Sequence, residues 1–116
     1  MVESLTIVLC SGPYQSERAF TALRLILTAL VEGLKVNLFL MEDGIFLVKK
    51  GQNPKDFQSA EERVALALKE GAKIIACGVC AGERGMVEAD FFEGIKVGTM
   101  HDLVALIKET DRTVFL

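Results

Sequence analysis

Along this chain, two hydrophobic periods alternate from one end to the other. Short apolar, β-branched runs occur at "SLTIVLC" (Ser4 to Cys10), "KVNLFLM" (Lys35 to Met41), "AKIIACG", "GIKVGT" and "RTVFL". Runs of this length, bounded by glycine, proline or acidic turn residues, read as strands. Between the first two lies "SERAFTALRLILTALVEG", in which Phe20, Leu23, Leu27, Leu30 and Val31 recur at helical spacing and Gly33 stands where a helix is closed by glycine. "IFLVKKGQ" reads as a short helix over the strand ends. Asn53-Pro54 and the pair Ser59 and Glu62 both signal a helix start, so a second long helix is expected to begin in that interval and end near Gly71. Thr99 with Asp102 repeats the capping pattern ahead of a last helix whose apolar face is Leu103, Leu106 and Ile107.

Strands separated by helices favour parallel pairing through right-handed crossovers, with helices on both faces of one sheet. The pattern therefore predicts an α/β fold: a single three-layer α/β/α domain spanning residues 1–116, with a mainly parallel five-stranded sheet. The chain's 116 residues suit one domain, which at that size buries roughly two-thirds of its unfolded surface.

Composition narrows the function classes. Thirteen basic residues nearly balance sixteen acidic ones, giving a net charge of −3 with no block of one sign, so neither a nucleic-acid footprint nor a polybasic membrane patch is expected. No apolar run approaches the ~18 residues of a membrane span, and "MVESLTIVLC" lacks the basic start of a signal peptide. Three cysteines, an odd number, suit reduced thiols better than a secreted disulfide framework. The expectation is a cytoplasmic protein. Its 51% hydrophobic content and mean hydropathy of +0.37 predict association with further copies, with Ile45, Phe46, Leu47 and Val48 as the candidate contact.

In open parallel sheets, ligands bind beyond the carboxyl ends of the strands. Three such ends carry polar or reactive groups: Cys10, Ser11 and Gly12 after the first strand, Glu42, Asp43 and Gly44 after the second, Cys77 and Gly78 after the third. If the strands are neighbours, these groups line one cleft. Cys10, inside its strand pattern, reads equally as a small buried apolar side chain. Cys77 ends its strand with glycine after it. Cys80 completes C-G-V-C and can cap the turn or pair with Cys77.

Zinc needs four ligands, and a lone C-x-x-C supplies two. Only Cys10 and His101 remain as soft or imidazole candidates, so no metal is expected. A thioredoxin-type disulfide shares the two-residue spacer, but here the motif follows the third strand and its spacer holds no proline. A thiolate favoured by backbone N–H groups and by Arg84 can attack sulfane sulfur and hold it as a persulfide, although Arg84 also reads as a solvated surface residue. "SGPYQSE" carries no phosphate-binding glycine pattern.

The ordered set "ACGVCAGERG", then "FFEGIKVGTMHDLVALI", together with "EGLKVNLFLMEDGIFLVKKG" and the closing "VFL", resembles the DsrE/DsrF-like family over nearly the whole length. That resemblance implies a Rossmann-like domain assembling into trimers or hexamers, no cofactor, and a cysteine that accepts persulfide sulfur from a donor protein and passes it to an acceptor. Cys77, eight residues before Gly85 of the Arg-Gly pair, matches the family's working cysteine. Cys80, Arg84, Gly78 and Gly85 become candidate supporting residues, and Cys10, Ser11, Gly12, Glu42 and Asp43 candidate cleft residues. The other reading open at this point is a non-catalytic oligomeric subunit of the same family that binds a small ligand or serves assembly.

Overall fold

The computed structural model describes residues 2–116. Five strands, β1 (Ser4–Leu9), β2 (Lys35–Leu40), β3 (Lys73–Cys77), β4 (Lys96–Gly98) and β5 (Arg112–Phe115), form one sheet in the order β4-β3-β2-β1-β5, with every pair parallel. The helices are α1 (Arg18–Val31), α2 (Glu61–Lys69), α3 (Gly78–Glu83) and α4 (Met100–Glu109). From β1 to β4 the chain steps in one direction across the sheet. It then returns across the whole sheet to place β5 beside β1. Right-handed crossovers send α1, α2 and α3 to one face and α4 to the other, which gives the three layers expected.

β1 and β2 show why the sheet is the core. β2 is buried from Leu38 to Leu40, and β1 from Leu5 to Leu9, as a parallel sheet covered on both faces requires. Thr6 is the one buried polar residue among those described. Its hydroxyl lies 3.5 Å from the Leu106 carbonyl and 2.9 Å from Thr110 Oγ1, at the end of α4. Leaving such a hydroxyl unpaired would cost about 1–3 kcal/mol, so the contact fixes where α4 sits. At its other end α4 is capped as expected, with Asp102 Oδ2 accepting the Thr99 N–H at 2.7 Å.

Several local expectations shift. β1 stops at Leu9, leaving Cys10 outside the ladder. The segment after β2 is a 3₁₀ helix over Glu42–Val48, so the Glu-Asp-Gly expected to be a turn is its first turn. α2 begins only at Glu61, and Ser59 Oγ accepts the Glu61 N–H at 3.2 Å in place of a capping box with Glu62. The candidate contact Ile45 to Val48 is overturned as an exposed patch. Ile45, Leu47 and Val48 are fully buried and only Phe46 is half-buried, because the 3₁₀ helix folds the run back over the sheet ends.

Gly44 makes this possible. A Cβ there would lie 2.2 Å from the Leu9 carbonyl oxygen and 2.9 Å from its carbon, both backbone atoms. Gly44→Ala is expected to destabilise by about 3 kcal/mol, at the upper end for overpacking because main chain must move, seen as a lower urea midpoint at unchanged slope. At the opposite end of the sheet, Asp111 Oδ2 accepts the N–H groups of Glu3 at 2.8 Å and Ser4 at 3.1 Å. The Glu3 N–H, with help from Ser4, holds this carboxyl below its ordinary pKa. The folded chain thus binds that proton less readily than the unfolded one. Its stabilisation is complete above the unfolded value near pH 4 and is lost as pH falls through the lower folded value. Asp111→Ala should therefore lower the melting temperature at neutral pH and flatten its fall below about pH 4.

Candidate functional site

The register decides what gathers at the carboxyl end. Leu9 is level with Leu40, and Leu40 with Ala76, so the next residues, Cys10, Met41 and Cys77, leave three neighbouring strands in one row. The three groups expected to share a cleft are therefore neighbours in space. Gly12 packs under the second of them: a Cβ on it would come within 3.2 Å of the Asp43 carbonyl. Ser11 is half-buried in the same loop.

α3 starts directly on Cys77 and turns Cys80 back over the strand ends. The Cys80 N–H points to Cys77 Sγ at 3.5 Å, and the Glu42 N–H donates to Cys80 Sγ at 3.0 Å. Glu42 takes up a left-handed φ of +51° to do so, a conformation rare outside glycine. Between the two thiols Val79 stands 72% exposed, while Cys77 is 4% and Cys80 8% exposed. Gly78 is held close to β4, where a Cβ would sit 3.2 Å from Val97 Cγ1. Gly85 has φ +70°, which lets the Met86 N–H close back on the Ala81 carbonyl at 2.9 Å and end the helix.

Arg84 works differently from the sequence expectation. Its Nε donates to Asp43 Oδ1 at 3.0 Å and its Nη1 to the Cys80 carbonyl at 3.2 Å. The guanidinium thus ties the end of α3 to the segment after β2, and its effect on the thiols is at a distance. The sequence offered no signal for the Glu42 N–H, since a backbone donor at a strained φ leaves no residue-type signature.

Burial pushes the Cys80 thiol up from its ordinary pKa; the Glu42 N–H and Arg84 oppose this, and the adjacent Cys77 adds to it. Burial also raises Cys10, with the Glu42 carboxylate and Cys80 contributing. Both thiols therefore keep their protons at neutral pH. The arrangement is one thiol, Cys77, at the head of a short helix, with the Cys80 N–H directed at it and Cys80 and Cys10 beside it. Among the described residues no group of three or more His, Cys, Asp or Glu is placed to hold a metal ion, and no helix is long and apolar enough to cross a membrane.

Residues 3–116 match the DsrE/DsrF-like family. The chain belongs to this family. It is 49% identical over 114 residues to "Uncharacterized protein MK0008" of Methanopyrus kandleri, covering 98% of this chain and 94% of that one. To "Uncharacterized protein MJ0989" of Methanocaldococcus jannaschii it is 46% identical over 109 residues, covering 94% and 96%. Protein YchN of Escherichia coli is 24% identical over 115 residues, covering 97% and 98%. The crystal structure of YchN superposes with a TM-score of 0.89 over the full length of both chains at 23% identity, which establishes the fold they share.

The site's electrostatics can be measured directly. Residue-resolved iodoacetamide labelling should give pH profiles for Cys10 and Cys80 displaced above the ordinary thiol range near 8.5, because only the thiolate reacts. Arg84→Gln removes a charge that holds the Cys80 pKa down, so the Cys80 profile should move further up in pH; a downward move would contradict the charge assignment.

Proposed function

We propose that this chain is a sulfur-relay protein of its family, carrying sulfane sulfur as a persulfide on Cys77. The observation that carries the reading is the placing of Cys77 at the end of β3 with the Cys80 N–H directed at its sulfur, in one row with the strand-end loop of Cys10. In the loading step the Cys77 thiolate attacks the outer sulfur of a donor persulfide. A sulfur–sulfur bond forms on Cys77, the donor's own sulfur–sulfur bond breaks, and the donor leaves as a thiolate that takes up the proton Cys77 released. No net oxidation occurs. The new terminal sulfur is anionic, and the Cys80 N–H beside Cys77 Sγ is the backbone donor nearest to it.

Cys80 has two possible parts, and they differ in product. As a neighbour it leaves the persulfide to an acceptor thiol, by the same exchange in reverse. As a resolving thiol it attacks the inner sulfur of Cys77, giving a Cys77–Cys80 disulfide and releasing hydrosulfide, the two thiols being oxidised as the sulfane sulfur is reduced. Arg84 and Asp43 serve either route by holding the end of α3 in place.

The same reading has the chain act as a closed oligomer of like copies, in the cytoplasm, exchanging sulfur with donor and acceptor proteins. Apolar side chains available for such contacts are Leu25, Val31 and Leu66 on one face and Val104, Ile107 and Phe115 elsewhere, in place of the buried Ile45 to Val48 run.

Intact mass after incubation with inorganic polysulfide tests the assignment. The wild-type chain should gain the mass of one sulfur atom, removable by reductant, and Cys77→Ser should gain none while keeping its circular dichroism spectrum. Cys80→Ser should still load if Cys80 is a neighbour, and should lose the disulfide product if it resolves. Normal loading of Cys77→Ser, or Cys10 proving the fastest-reacting thiol, overturns the proposal.

A further inference from the structure

A second site lies around Tyr14, in the loop that leads from Cys10 into α1. Tyr14 has φ +68°, the left-handed region, with a bulky side chain, a conformation that costs of order 1–3 kcal/mol and persists only where its surroundings enforce it. Here they do. The Tyr14 hydroxyl donates to Gln52 Oε1 at 2.7 Å, and Gln52 Nε2 is shared among the carbonyls of Leu47 at 2.8 Å, Lys49 at 3.0 Å and Phe46 at 3.3 Å. The side-chain amide of Gln52 thus anchors the tyrosine to the end of the 3₁₀ helix and holds the ring in place.

Two hollows share this ring as part of their lining. One cavity, about 410 Å³, is lined by Tyr14, Gln15, Lys49, Lys50 and the backbone around Gly12 and Gly51. The other, about 370 Å³, is lined by Tyr14, Gln15, Glu17, Phe20 and Phe57. Tyr14 and Gln15 belong to both, so the two hollows adjoin, and each is in the size range of small-molecule sites. In the second, Phe20 and Phe57 meet edge-to-face at 4.9 Å, and Tyr14 lies 5.6 Å and 6.2 Å from them. Phe20 is seated in the core at 8% exposure, yet Phe57 is 59% and Tyr14 44% exposed. Two large rings are thereby kept in water beside a hollow.

Charge gives the pair of hollows a direction. The first carries two lysines and no acid, while in the second Glu17 is balanced by Arg63, whose guanidinium lies 5.8 Å from the Phe20 ring. An acidic group is favoured on the lysine side and meets no net charge on the aromatic side. We infer that the surface around Tyr14 binds a small planar aromatic anion, its ring against Phe57 and Phe20 and its acid group toward Lys49 and Lys50. Neither cavity is lined by a thiol, so this inference stands apart from the persulfide reading.

The chain has one tyrosine and no tryptophan, so protein labelled with ¹³C-tyrosine carries a single ring label, at the site itself. Titration with naphthalene-2-sulfonate should shift the Tyr14 ring resonances saturably. The neutral naphthalene-2-methanol should bind about tenfold more weakly, and methanesulfonate, which has no ring, should produce no saturable shift. The double variant Lys49→Gln with Lys50→Gln should bring the sulfonate down to the affinity of the neutral compound without changing the latter. Phe57→Ala, at an exposed position, should weaken both aromatic compounds, and Cys77→Ser should leave all three titrations unchanged. Absence of a saturable shift overturns the inference, as does equal affinity for charged and neutral rings or an unchanged titration in the double lysine variant. A Tyr14 shift that tracks protein concentration instead of ligand would assign the surface to a second copy of the chain and equally overturn it.

Discussion

The level register of β1, β2 and β3 is the constraint on which the thiol site depends. Parallel strands paired without offset finish together, so Cys10, Met41 and Cys77 emerge side by side. A one-residue slip of β3 would turn its side chains to the opposite face of the sheet and carry Cys77 away from the loop of β1. Register is held from both faces, because Leu5, Ile7 and Leu9 serve one layer and Thr6 and Val8 the other, and none can be exchanged for its neighbour without exposing apolar surface or stranding the Thr6 hydroxyl.

Above the sheet ends, space is the governing quantity. The chain after β2 comes so close to the end of β1 that only a residue without a Cβ fits at position 44. That approach buries Ile45, Leu47 and Val48 and sets Glu42 where its N–H meets the Cys80 sulfur. A packing requirement and a chemical one are thus met by the same seven-residue helix. The pairing of Arg84 with Asp43 follows from it, since Asp43 lies in the first turn of that helix and Arg84 at the end of α3.

Much of this was legible in the sequence, and the limits have physical causes. Strand and helix positions followed from periodicity because each element buries one face or both against a common core, as in the run Phe20, Leu23 and Leu30 of α1. The cap at Thr99 was readable because its geometry is carried by side chains. The 3₁₀ helix after β2 was not: four consecutive apolar residues have no period, and whether they face a partner or the chain's own core depends on the approach at Gly44, a tertiary distance. The gathering of three strand-end groups was foreseeable as a condition on strand order. Arg84 reads from sequence as either a thiolate partner or a solvated residue, because a lone Arg in a cysteine loop carries no record of a carboxylate 41 positions away. The aromatic and lysine residues around Tyr14 lie in three separate stretches, none of them a motif alone.

The placing of β5 has a consequence for how this chain comes together. β1 lies inside the sheet, flanked on one side by β2 and on the other by β5, and its Thr6 hydroxyl meets the Leu106 carbonyl of α4, 100 positions further along. As the polypeptide leaves the ribosome, its first strand must stay half-dressed until nearly everything else has emerged. Contacts of such long sequence separation close late and slow the folding of a domain, and an unpaired apolar strand edge exposed in the interval invites pairing with another nascent copy. Cover for β1 thus rests on α4 and β5, Met100 to Phe115, and removing them would leave β1 bare along one edge and one face.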